Sequence, residues 1–170
     1  MKKLLFSIIL FATQLHAQCW LNITAGGQSS LGITSDHTLW AWGSNYNGQY
    51  GNDTNIDINE PQQTTIGETW ASVKAGGYHV LALKADGTLW SWGANNSGQL
   101  GNNTTTSSNV PVQIGIGSSW QFIDAGDQCS AAIKSDGTLW TWGKNSERQL
   151  GVGDITNRLI PTQVGTSNRS

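Results

Sequence analysis

Basic residues are few in this chain. Nine Lys and Arg stand among 170 residues, and apart from Lys2 and Lys3 they are scattered, as Lys74, Lys84, Lys134 and Lys144 show. Nucleic acid needs clustered cations to displace counterions from its phosphates, so it is excluded as a partner. Long apolar runs are lacking too. The stretch Leu4 to Ala12 is shorter than the roughly 20 residues that cross a bilayer core about 30 Å thick, so no membrane span is expected. With Lys2 and Lys3 before it and Thr13 to Ala17 after it, the run has the order of a secretory signal, assigned to residues 1–17. Gln18 stands directly before Cys19, where a lipid-modified cysteine would want a small residue. The remaining chain, 18–170, is expected to be secreted, periplasmic or at the cell surface. It keeps 9 − 2 = 7 basic residues against 11 acidic ones, a formal charge of −4.

Cysteine and histidine are equally sparse. Cys19 and Cys129 fall at different places in the pattern described below, and their pairing is left open. His37 and His79 are the two histidines beyond residue 17, and neither has the spacing to a serine or cysteine that pairs a nucleophile with a base. No catalytic residue and no cofactor are assigned, and the expectation is a protein that is not an enzyme. The acidic stretch with Asp53, Asp57 and Glu60 lacks the Asp-x-Asp-x-Asp-Gly order of a calcium loop, and no metal site is assigned.

Tryptophan and glycine, by contrast, are plentiful, with nine Trp and 21 Gly. They recur at a fixed interval. Trp20, Trp70 and Trp120 align without a gap, as do Trp40, Trp90 and Trp140; Trp42, Trp92 and Trp142; Gln49, Gln99 and Gln149; and Pro61, Pro111 and Pro161. A period of 20 to 50 residues marks a repeat architecture. The units run over about 20–69, 70–119 and 120–170.

Each unit reads as short strands. In the middle one, His79 to Lys84 and Thr88 to Trp92 are β-prone and joined by Ala85-Asp86-Gly87, a hairpin with glycine at the position of positive φ. The first unit has Asp36-His37 there, so its turn is expected to be looser or of another type. Side chains alternate along a strand, which sets Trp90 and Trp92 on one face and Leu89 and Ser91 on the other. Both indoles are expected against a neighbouring sheet. A third run covers Trp70 to Ala75, and a fourth follows Pro111 as Val112-Gln113-Ile114, where proline suits an edge strand. Four-stranded sheets repeated about an axis describe propeller blades.

The segment "AGGYHVLALKADGTLWSWGANNSGQLG" resembles the regulator of chromosome condensation repeat family, with its Gly-x-x-His strand, Asp-Gly hairpin, Trp-Gly strand end and Asn-x-x-Gly-Gln-Leu-Gly loop. The likeness covers nearly all of residues 20 to 165. It departs at Ser29 and Cys129, which replace the strand histidine His79, and at Arg148, which replaces a loop glycine. The resemblance implies an all-β, partial β-propeller: three four-stranded blades of an expected seven-bladed ring. An open arc exposes one apolar face at each end, which favours self-association.

Function is expected where the units differ on a common scaffold, at Tyr46, Asn96 and Ser146, at Tyr78 and Gln128, and at Arg148. His79 is read as a structural strand residue bonding a neighbouring loop, and Gln99 as a tie between blades. The family includes nuclear exchange factors and secreted inhibitors, so the resemblance alone selects no partner. The preferred reading is an exported, non-catalytic interaction module for an unknown protein or glycan. The alternative is a targeting or adhesion portion of a longer secreted enzyme.

Overall fold

A computed structural model describes residues 19–116 and 119–165. The assigned signal segment, residues 1–17, lies outside the described residues. Twelve strands form three antiparallel sheets of four, each in simple sequence order. Blade 1 holds β1 (Trp20–Gly26), β2 (Ser29–Thr34), β3 (Leu39–Gly43) and β4 (Ile58–Thr64). Blade 2 holds β5 (Ser72–Ala75), β6 (His79–Leu83), β7 (Leu89–Gly93) and β8 (Ser108–Ile114). Blade 3 holds β9 (Trp120–Ala125), β10 (Cys129–Lys134), β11 (Leu139–Gly143) and β12 (Arg158–Gln163). Among the described residues no helix is long and apolar enough to cross a membrane.

The first strand of each blade is the inner one. β1, β5 and β9 pack on one another from blade to blade. A Cβ on Gly26 would meet the carbonyl oxygen of Gly76 at 2.0 Å, and one on Gly76 that of Gly126 at 2.4 Å, so only glycine lets these inner corners converge. The fourth strands form the outer edge. Pro61, Pro111 and Pro161 lie inside β4, β8 and β12, which therefore extend further towards the N-terminus than the run after Pro111 suggests. At an edge a missing N–H removes no ladder bond.

Two apolar layers hold the arc together. Between blades 1 and 2, Leu31, Ile33, Leu39 and Tyr50 face Trp70, Val73, Val80 and Trp92. Between blades 2 and 3, Leu81, Leu83, Leu89 and Ile114 face Trp120, Ile123, Ala132 and Trp142. Every blade is thus polar in the same sense, with a tryptophan-bearing leading face and a leucine-bearing trailing face. The two indoles of a pair are unequal, which corrects the sequence expectation. Trp92 is fully buried between blades, whereas Trp90 reaches only the margin of that layer. The Trp90 ring packs edge-on against Trp70 at 6.2 Å, under the Lys84 ammonium at 4.4 Å.

The first hairpin turn also departs from expectation. His37 adopts φ 65°, close to Gly87 at 79° and Gly137 at 82°, and the same turn bond forms from His37 N–H to Thr34 C=O at 2.8 Å. Local bonds hold the side-chain-bearing residue in that conformation. Asp36 accepts from the Thr38 hydroxyl at 2.9 Å, and His37 C=O accepts the Trp70 N–H at 2.9 Å from the next blade. Those bonds also keep the Asp36 carboxyl below its usual range, chiefly through Thr34 and Thr38.

Candidate protein-interaction face

Two kinds of connection meet at one end of the strands: the tight turns between first and second strands, and the long loops between third and fourth. They are bonded to each other in every blade. Ser44 N–H donates to Gln28 C=O at 2.8 Å, Ala94 N–H to Tyr78 C=O at 2.8 Å, and Lys144 N–H to Gln128 C=O at 2.9 Å. The approach needs Gly43, Gly93 and Gly143, all near φ 100°, because a Cβ there would come within 2.5 Å of the turn carbonyl.

Inside each long loop one buried asparagine bonds main-chain groups of that loop. The Asn95 amide donates to the carbonyls of Thr104 and Thr106, both at 3.0 Å, while its oxygen accepts the Leu100 N–H at 2.9 Å. Asn145 does the same with Asp154, Thr156 and Leu150, while the equally buried Asn45 donates to the Thr54 carbonyl and accepts the Tyr50 N–H. Asp57, read first within an acidic stretch, instead caps its loop by accepting the Asn45 N–H at 2.7 Å. Asp154 accepts from Arg158, then from Thr156, and its carboxyl is held below the usual range by those bonds.

The Gln99 side chain serves its own loop, its Oε1 accepting the Ser97 N–H at 2.9 Å. The tie between blades runs instead through the Gln99 main-chain carbonyl, which accepts the Trp142 indole N–H at 2.9 Å and the Ser130 hydroxyl at 2.7 Å. No residue-type pattern announces such a backbone role. Below the turn of blade 2, His79 Nε2 lies 2.9 Å from the Ser130 Oγ. Since that hydroxyl donates to Gln99, Nε2 carries the proton and Nδ1 is the bare nitrogen, buried against Gly76 without a partner. Burial, opposed in part by Asp127, pushes the His79 pKa down to about 4. Its partner is thus a strand residue of the next blade.

All six variable positions from the sequence lie on this loop face, but their surroundings differ. Tyr46 is 80% exposed at the crown of the first long loop, and Asn96 and Ser146 are exposed at the matching crowns. The Tyr78 ring leans towards Gly27 of blade 1 and keeps 39% of its surface open. Gln128 is half-buried and engaged, accepting the Ser97 hydroxyl at 3.0 Å, so it is a joint between blades 2 and 3 and not a free binding group. Arg148, exposed at φ 60°, stands at the trailing end of the arc. Cys129 keeps a free thiol whose pKa is raised, first by burial and then by Asp127.

Ile56 belongs to this face and was missed. It is 70% exposed in the first long loop, where the other repeats carry Thr106 and Thr156. An isoleucine at a position otherwise held by threonine was the available signal.

Radially arranged four-stranded blades that present loops from a rigid frame define a propeller-type repeat protein, a fold that suggests protein interaction. The particular family follows from the repeat itself: the regulator of chromosome condensation (RCC1) repeat matches residues 36–83, 86–133 and 136–170, and a second model of that repeat matches 20–49, 70–99 and 120–149. The chain belongs to this family. Among solved structures it is similar to human WBSCR16, with 24% identity and a TM-score of 0.77 over 88% of this chain and 40% of that one. It is also similar to Prp20p of Saccharomyces cerevisiae, with 22% identity and a TM-score of 0.76 over 86% of this chain and 38% of that one. The Prp20p structure was described with that protein's binding to Gsp1p and histones, and yeast RCC1 (Prp20) was also solved bound to Kap60. The chain spans about 40% of the length of these structures. No curated protein matches it significantly.

Proposed function

We propose that this chain is an exported, non-catalytic interaction module that captures a protein partner on its loop face. One observation carries the reading: Tyr46, Tyr78, Asn96 and Ile56, scattered in sequence, all stand on a face whose backbone is locked by turn-to-loop bonds. Exposed aromatics on a rigid frame are the side chains that supply interface anchors with little loss of freedom. Relatives that bind proteins, among them Prp20p with Gsp1p and histones, support a protein over a glycan. The basic-apolar-cleavage order of residues 1–17 supports export.

The test compares surfaces. Partners are captured on the immobilised chain from extracellular protein and, separately, from a glycan panel. Tyr46→Ala combined with Tyr78→Ser is expected to weaken the captured protein at least about tenfold, as loss of two anchors does. Ile66→Ser, on the opposite face where residue 66 is 85% exposed, is expected to leave binding unchanged. The reverse sensitivity would move the site to the other face.

A further inference from the structure

Blade meets blade twice in the same way, and both halves of that contact recur at the ends of the arc. At each internal interface an indole reaches back to the preceding blade, Trp92 to Gln49 C=O at 2.7 Å and Trp142 to Gln99 C=O at 2.9 Å. A loop N–H, from Asp53 or Asn103, donates at 2.9 Å to the next blade's outer strand, at Asn109 or Leu159. On the opposite face the N–H of Trp70 or Trp120 donates to the turn carbonyl of His37 or Gly87, at 2.9 and 3.1 Å. One step further in each series stand the Trp42 indole, the Asn59 carbonyl and the Trp20 N–H at the leading end. Their counterparts at the trailing end are the Gln149 carbonyl, the Gly153 N–H and the Gly137 carbonyl. Both ends are also apolar: Trp20 is 41% and Ile23 68% exposed on the leading face, and Phe122 59% and Leu139 40% exposed on the trailing one. Phe122 and Leu139 line a shallow hollow with Ala131 and Ile133.

We propose that the leading face of blade 1 docks on the trailing face of blade 3 of a second copy, head to tail and in the register of the internal interfaces. The occupant is a second copy because each face already has its complement in this chain, shown twice by the packing between blades. Such a contact is heterologous, and its growth depends on whether the rotation closes. Three blades match 38 to 40% of the solved relatives, more than a third and less than half, so two arcs fit about one axis and three do not. Association therefore stops at two copies.

Arg148 weakens this contact. Gly48 and Gly98 receive the neighbour's outer strand so closely that a Cβ would come within 2.5 Å of Asn109 and 2.4 Å of Leu159. At the matching place in blade 3, Arg148 carries a Cβ, which holds the incoming strand off at the loop face.

Sedimentation of the chain over a range of concentrations tests this. A reversible equilibrium between one and two copies is expected. Ile23→Asp and Phe122→Asp should each abolish it, and an equimolar mixture of the two variants should restore a one-to-one dimer, because each contributes its one intact face. Arg148→Gly should tighten association by about tenfold, as relief of overpacking does. Near-ultraviolet circular dichroism identical to the unchanged chain establishes that the variants are folded. A single copy at every concentration, association that survives either aspartate, a mixture that stays unassociated, assemblies beyond two copies, or an Arg148→Gly chain that associates no better would each overturn the proposal.

Discussion

His79 has one ring nitrogen with a partner and one without, and that asymmetry is a pH dependence. Protonation would put an N–H at Nδ1, against Gly76, where no acceptor waits. The folded pKa of about 4 lies below the ordinary 6.5, so between those values the unfolded chain binds the proton and the folded one does not. Stability from this group is complete above about pH 6.5 and is lost as pH falls towards 4, by about 3 kcal/mol. Urea unfolding followed by tryptophan fluorescence between pH 4 and 7 should show that slope, and His79→Gln should flatten it. Little of this was legible in the sequence: the histidine was readable as structural, but its partner Ser130 lies 51 residues away in another blade.

Among the elements, the long loop is the one whose integrity rests on a single side chain. Asn95 is fully buried and supplies both an acceptor and donors to main-chain groups of its own loop. Asn95→Ala would strand those groups in the interior and is expected to destabilise the protein by about 3 kcal/mol, measured as a lower urea midpoint. Asn95→Asp keeps the acceptor for Leu100 but sets a buried carboxylate oxygen against the carbonyls of Thr104 and Thr106, so it should cost at least as much as Asn95→Ala at neutral pH. The position was visible beforehand, since Asn45, Asn95 and Asn145 recur in register, each followed by Gln49, Gln99 or Gln149, although its bonds were not. The turn at His37 was not. Asp-Gly identifies a tight hairpin, but the absence of glycine at 37 does not forbid one when Asp36, Thr38 and Trp70 hold the backbone.

For the molecule as a whole, the polarity of the blades orders the energetics. Stability in such arrays is a sum of unit terms and nearest-neighbour interfaces. Trp92→Phe removes an indole from the layer between blades 1 and 2 and leaves the Gln49 carbonyl without its donor, an expected loss of about 2 kcal/mol. Trp42→Phe alters the leading face, which no blade covers among the described residues. In dilute protein its effect should be under about 1 kcal/mol. Equal losses at the two positions, read from paired urea curves, would contradict the assigned polarity.

The sequence by itself determined that the chain is built three times over from short antiparallel strands, because tryptophan, glycine and proline recur at matching positions of three units and suit the strands, turns and edges found there. It also determined which loop positions vary. Only the tertiary structure decided which face of a blade meets which, that Trp92 enters the shared layer while Trp90 stays at its margin, and that Gln99 acts through its carbonyl. It likewise showed Gln128 consumed as a joint and Arg148 placed at an open end. The physical reason is that backbone carbonyls and N–H groups are identical at every residue, so their pairing across blades is set by where the sheets come to rest, which no single repeat records.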